Sequence, residues 1–449
     1  MTLSEQLQQR TTSVALLCGM VILASCERLA TSQQDEAPSI DGQLRAAATL
    51  ASPWTETEVA GPVRTIDIPD NALMRASDSW SIGDDTSSNA QRFYGRLHVS
   101  SLPDGTILAA DDAAAMLHLL TADGQSIATV DLRKQVTGKL AKSFVPITWL
   151  LSAEANSAEQ FLFYESSRQG FVLDVVADGD RVASYQGSFP VTRGVRTHML
   201  TVSDRDTLIV LQSQSGTGFK FFRRSQYTVY SGATRQLESG LKPILQFSPR
   251  DTMIVSSDGA SAIKPPFAAY SGVVSGGNRL VVARDSSPLI EFFDHSGQAL
   301  EAWRLAVQRS AVSRETFEQQ LRSTMQSEGI DSVSARVTRA MRAWTPRDAP
   351  VIRRVFAAPD GSVAILRNDW PISGTSTVAG QRLDLLSASG EFFRSLVLPA
   401  KERIVMYGAN VVCTTRRSLS QRPPLPQRAG IERPAPETLT CYLTGMGQN

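Results

Sequence analysis

The chain is poor in the residues that most simply do chemistry. Of 449 residues, four are cysteine and four are histidine, at positions 98, 118, 198 and 295. None of these pairs at metal-ligand spacing, and neither a Cys-x-x-Cys nor a His-Glu-x-x-His occurs. A Gly-x-Ser-x-Gly elbow is missing too, and the Ser-x-x-Lys from Ser261 to Lys264 lacks its partner motifs. Charge of one sign is also lacking: 45 basic residues face 44 acidic ones, so no overall field draws the chain to nucleic acid. Lysine is scarce, seven against 38 arginines, which fits a GC-rich genome rather than a binding function. The apolar run Val14–Ala24 has eleven residues, where a spanning helix needs about 20.

That run has the size of a secretory signal core, preceded by Arg10 and followed by Leu23-Ala24-Ser25-Cys26. These four residues resemble the lipobox of bacterial lipoproteins. The resemblance implies a signal peptide over 1–25, cleavage before Cys26 and a diacylglycerol on its thiol. The other reading is an ordinary secretory signal with Cys26 incidental. Residues 26–55, rich in Ala, Ser, Gln, Thr and acids without apolar periodicity, read as a flexible tether. The expected location is a bacterial cell envelope, at its periplasmic or outer-membrane face.

The remaining residues, 56–445, repeat. Leu97-His98-Val99, Thr106–Ala110, Met116–Leu120 and Ile127–Val130 are four apolar runs divided by Asp104-Gly105 and Asp123-Gly124. Asp-Gly supplies the positive φ of tight hairpins, so the unit is a four-stranded meander. Gly105 to Gly124, Gln160 to Gly179 and Asn278 to Gly297 all span nineteen residues, and Gly361 to Gly390 spans twenty-nine with a loop at 372–380. A looser copy runs from about Val195 to Leu237. Such repeats predict an all-β chain, a β-propeller of six blades. A strand at Val63–Ile68 is expected to complete a last blade made of 404–414 and 438–443. Residues 241–266 read as an irregular excursion, with a seventh blade as the alternative.

The repeat is interrupted between Asn278 and Gly361. Residues 313–343 have a helical pattern, with a Ser313 cap and Phe317, Leu321 and Met325 at every fourth position, broken at Gly329. A helical hairpin is expected. The order of elements resembles exported six-bladed β-propellers related to NHL-repeat proteins. It does so through Leu102-Pro103-Asp104-Gly105, Pro265-Pro266-Phe267, the insert after Trp303-Arg304, Arg382–Leu386, Ser389–Phe392 and Leu398-Pro399. The chain departs from that pattern in its third blade and lacks the Gly-Pro-Gly run often found after the first.

Cys413 and Cys441 lie in two apolar strand-like runs and are the only cysteines outside the export signal. In an exported chain they are candidates for a disulfide, the alternative being two free buried thiols. Asp111-Asp112 ends a strand, where paired carboxylates can bind calcium or act as acid and base; the plainer reading is a polar turn. Residues 304–354 hold ten arginines against five acids, and 416–436 hold five arginines with five prolines. The leading expectation is a membrane-anchored, non-catalytic module that binds a protein or polysaccharide partner. The alternatives are a metal-dependent hydrolase or lactonase with its site in a propeller channel, as in propeller lactonases, and a purely structural or assembly lipoprotein.

Overall fold

Alternating apolar runs and Asp-Gly or Ser-Gly turns fold into successive antiparallel meanders. The structure, a computed structural model, describes residues from Gly61 to Gly445 outside several loops, the longest being 84–92, 132–146, 216–224, 328–347, 369–379 and 418–436. Cys26, the signal segment and the tether lie outside the described residues, as do Asp112, Ser261 and Lys264. Among the described residues, six sheets of four or five strands follow one another, with a two-stranded ribbon between the third and fourth.

Sheet 1 consists of Leu97–Ser101, Ile107–Asp111, Met116–Leu120 and Ser126–Asp131. Sheet 2 consists of Ile147–Ser152, Gln160–Glu165, Gln169–Val175 and Ala183–Pro190. Sheet 3 consists of Val195–Ser203, Thr207–Ser215, Ser225–Ala233 and Lys242–Phe247. The cores of sheets 4, 5 and 6 begin at Gly272–Gly276, Ile352–Ala357 and Arg403–Tyr407. The first strands touch in chain order, sheet 1 to 2, 2 to 3 and so on, and sheet 6 touches sheet 1 again. The end at which each first strand begins is termed the upper end.

Two expectations are corrected. A composite last sheet does form from Arg403–Tyr407, Val411–Arg417 and Glu437–Leu443, but its fourth strand is Ser79–Ile82. Val63–Asp67 instead pairs parallel to Ala299–Ala306 of sheet 4. The reason is burial: Ile66 and Ile68 fill a cluster with Trp303 and Leu305 of sheet 4 and Val355 and Ile365 of sheet 5. The third copy does not end near Leu237. Its outer strand is Lys242–Phe247, disguised by Pro243 and by its own bulge at Ile244, opposite the step from Val229 to Tyr230. The excursion at 241–266 is thus an edge strand plus the ribbon Ile254–Val255 with Ala262–Ile263.

The turns between third and fourth strands repeat at atomic detail. Thr121, Asp294 and Ser387 each accept, through a side-chain oxygen, the backbone N–H four residues on, at 2.8–3.0 Å. The glycine in each turn has φ near +80° to +90° and touches the preceding sheet. A Cβ on Gly124 would lie 2.5 Å from the Trp80 ring of sheet 6, and one on Gly297 2.2 Å from the Ile244 carbonyl oxygen of sheet 3. Only glycine permits both the angle and the approach.

Sheet 5 carries a cluster of buried charge. Asp384 accepts Arg382 Nε at 2.7 Å, Arg367 Nη1 at 3.1 Å and Ser395 Oγ at 2.5 Å. Arg382 also donates to Asp70 Oδ1 and to the Pro69 carbonyl. Asp384 is 0 % and Arg382 2 % exposed, so removing the carboxylate strands buried guanidinium. Asp384→Asn should cost about 3–5 kcal/mol in a denaturant titration. A loss below about 1 kcal/mol would show that the charges are solvated.

Helix α1, Arg314–Ser327, begins where the sequence placed it: Ser313 Oγ accepts Thr316 N–H at 3.1 Å, and Phe317 and Leu321 are buried. The second arm of the expected hairpin lies outside the described residues. The insert leaves sheet 4 after Ala306 and returns at Ile352, closed at its base by a bridge of Ala311 with Asp348. It therefore departs from the upper end.

Cys413 and Cys441 are direct partners on adjacent antiparallel strands, and the structure joins their sulfurs, with Cα atoms 4.0 Å apart. Closing a loop with a sequence separation of 28 should stabilise by about 3–4 kcal/mol in the loop-entropy account. Reduction, or Cys413→Ser with Cys441→Ser, should lower the unfolding midpoint accordingly, and unreduced peptide mapping should find the two cysteine peptides linked.

Candidate functional site

The upper end of sheet 5 breaks the strand rule that alternate side chains face opposite ways. Ile352 pairs with Arg367 and Arg354 with the next residue, Leu366, so Arg353 is the extra residue of a bulge. Ile352 and Val355 consequently enter the same cluster, on the sheet 4 side. Phe356 turns to the opposite side, toward sheet 6, and Arg354 stacks on its ring at 4.7 Å. Arg353 and Arg354 thus stand together on the sheet 6 side, and both are exposed.

Their surroundings are polar and fixed. Arg353 Nη1 donates to Gln381 Oε1 at 3.5 Å, and Arg354 Nη1 donates to the Ile404 carbonyl at 3.5 Å. Gln381 is itself held by donating to the carbonyls of Pro399 and Glu402. Glu402 accepts Thr414 Oγ1 at 2.6 Å and Tyr442 Oη at 2.9 Å. Burial, then the Glu402 hydrogen bond, raises the Tyr442 pKa above the ordinary phenol value, so this hydroxyl is a donor and no base.

The neighbouring cation is neutralised. Arg403 Nη2 reaches both carboxylate oxygens of Glu437, at 3.2 and 3.0 Å, while Glu437 Oε2 accepts Leu97 N–H at 2.9 Å. That stitch joins sheet 6 to sheet 1. Among the described residues, no carboxylate stands in ion-pair range of Arg353 or Arg354. Desolvation by the protein around it, and then the charge of Arg354, lower the Arg353 pKa.

The residues singled out from the sequence fare differently. Asp111 is fully buried at the upper end of sheet 1, and its Oδ1 accepts Ala114 N–H at 3.0 Å, so it closes its own turn. Among the described residues, no three His, Cys, Asp or Glu side chains converge as metal ligands would. His98 is part-buried on the first strand of sheet 1. The first strand of sheet 3 carries His198. His295 is at the lower end, within 3.4 Å of Ser275 Oγ. Arg353 and Arg354 appeared in the sequence only as part of an arginine-rich stretch. The signal that marks them is Ile352-Arg-Arg-Val-Phe, where apolar residues are three apart instead of two.

His118 is a core residue. It is edge-on to Phe93 at 5.2 Å, and desolvation by burial lowers its pKa from 6.5 to about 4. The unfolded chain takes up this proton below about pH 6.5 and the folded chain only below about pH 4. Its neutral burial therefore contributes fully above pH 6.5, and roughly 3 kcal/mol is lost as the pH falls to 4. His118→Gln should flatten that part of the stability–pH curve; an unchanged slope would place the titration elsewhere.

No protein-family model and no curated protein sequence matches the chain. Solved structures do. A member of the DUF4221 family from Bacteroides vulgatus is 11 % identical, covering 82 % of this chain and 96 % of its own, with a TM-score of 0.43. A protein of Bacteroides fragilis put forward as exported is 9 % identical over 84 % of this chain and 99 % of its own, TM-score 0.38. The calcium-binding protein regucalcin from Agrobacterium tumefaciens is 10 % identical over 85 % and 96 %, TM-score 0.33.

Proposed function

We propose that the chain is a six-bladed β-propeller, held at a bacterial envelope membrane by a lipid on Cys26, that works as a binding module for a protein or polysaccharide partner. The ring is supported by the first strands, which touch in chain order and return from sheet 6 to sheet 1. The anchor rests on Leu23-Ala24-Ser25-Cys26. The binding role rests on one observation: a bulge on the first strand of sheet 5 presents two exposed arginines side by side. The buried carboxylates nearby serve the fold: Asp384 and Glu437 are consumed by ion pairs and Asp111 by its turn. A rigid strand carrying guanidinium forks is suited to recognition, since its donors are already oriented before a partner arrives.

Two measurements test this. Cys26→Ala should leave the chain unprocessed and abolish incorporation of a radiolabelled fatty acid; labelling equal to that of the unaltered chain would end the anchor. Cross-linking in native envelopes should recover a partner with the unaltered chain and lose it, by tenfold or more, with Arg353→Gln plus Arg354→Gln. Recovery unaffected by the pair would remove this site from the binding role.

A further inference from the structure

We infer that Arg353 and Arg354 bind a phosphate-type dianion. The inference rests on the binding-module reading and adds the class of ligand. Two like charges on consecutive residues of an undistorted strand would point apart; here the bulge between Ile352 and Arg354 brings them to one side. Their mutual repulsion is not relieved by any carboxylate among the described residues, although Arg403, on the next sheet, has its Glu437.

Each guanidinium has five N–H donors. Arg353 directs one at Gln381 and Arg354 one at the Ile404 carbonyl, both at 3.5 Å, the limit of a hydrogen bond. These contacts, with the Phe356 ring under Arg354, hold the two guanidiniums, and both residues stay exposed with donor forks to spare. Such forks bind carboxylate and phosphate oxygens in pairs. The charge decides between them. A carboxylate offsets one guanidinium, whereas a phosphate monoester carries about −1.5 to −2 at neutral pH and offsets both.

Phosphate monoesters occur on soluble sugars and on lipid headgroups, so the test has three probes. Calorimetric titration of the full-length chain with inorganic phosphate, glucose 6-phosphate and glycerol 3-phosphate should give one site per chain. Tighter binding of the sugar ester points to a saccharide source and of the glycerol ester to a lipid one, and either supports the site. Acetate should bind at least tenfold more weakly than phosphate. Arg353→Gln or Arg354→Gln alone should weaken phosphate binding about tenfold or more, and the pair should abolish it. Arg64→Gln, on the outer strand of sheet 4, should leave it unchanged. Because both guanidiniums are exposed, the variants should melt as the unaltered chain does without phosphate, and lose only the rise in melting temperature that phosphate produces. Absence of phosphate binding by the unaltered chain, or binding equal in the double variant, overturns the inference. If envelope cross-linking still depended on the pair, the binding role would stand and only the ligand class would fall.

Discussion

Every well-described sheet of this protein is apolar on both faces, and that constraint organises the rest. Sheet 5 shows it plainly: Val363 and Ile365 face one cluster, shared with sheet 4, while Ala364 and Leu366 face another, shared with sheet 6. A sheet of this kind cannot be stable alone or at the end of a row. The neighbours must also meet in a fixed register, and the turn glycines provide the point of contact. Gly124 lies on Trp80, and Trp80 Nε1 donates to the Ala122 carbonyl at 2.8 Å, so the same indole both fills the gap and locks the turn. Gly390 likewise packs against an indole, that of Trp303, although Trp303 Nε1 is buried without a hydrogen-bond partner.

The problem then moves to the ends of the chain. The segment from Val63 to Ile82 contributes strands to sheets 4, 5 and 6 in turn: Val63–Asp67, Leu73–Arg75 and Ser79–Ile82. Along the way the Pro69 carbonyl and Asp70 carboxylate meet Arg382, which ties the segment to the buried Asp384 cluster. Contacts so distant in sequence form late and slowly, and once formed they leave three outer edges covered. Among the described residues, the disulfide, the ion pairs and the added outer strands all fall on sheets 4 to 6, where the segment Val63–Ile82 meets the later part of the chain.

This scaffold gives the upper end its character. Glu402, Arg403, Glu437 and Gln381 are each held by at least two partners, so Arg353 and Arg354 project from a surface that has little freedom to rearrange. A binding site on a strand loses less entropy on engagement than one on a loop. The bulge is the device that makes the pair, and it occurs next to the insert bearing helix α1.

What was legible in the residues was local. Short apolar runs divided by Asp-Gly and Ser-Gly turns mark the meanders at 97–131, 272–306 and 352–398, and Ser313 with Phe317 and Leu321 marks the start of the helix, because hairpin φ angles and helix caps depend on neighbours in sequence. The pairing of Cys413 with Cys441 was similarly readable from two short apolar runs. Tertiary structure alone decided the rest. Ser79-Trp80-Ser81-Ile82 alternates as clearly as Val63–Ile68, but which sheet each joins depends on which cavity its inward residues fill, Trp80 over Gly124 and Ile66 beside Trp303. The arginine pair, too, is invisible to composition: a one-residue slip in a backbone ladder, and not any residue's identity, put Arg353 and Arg354 on one side.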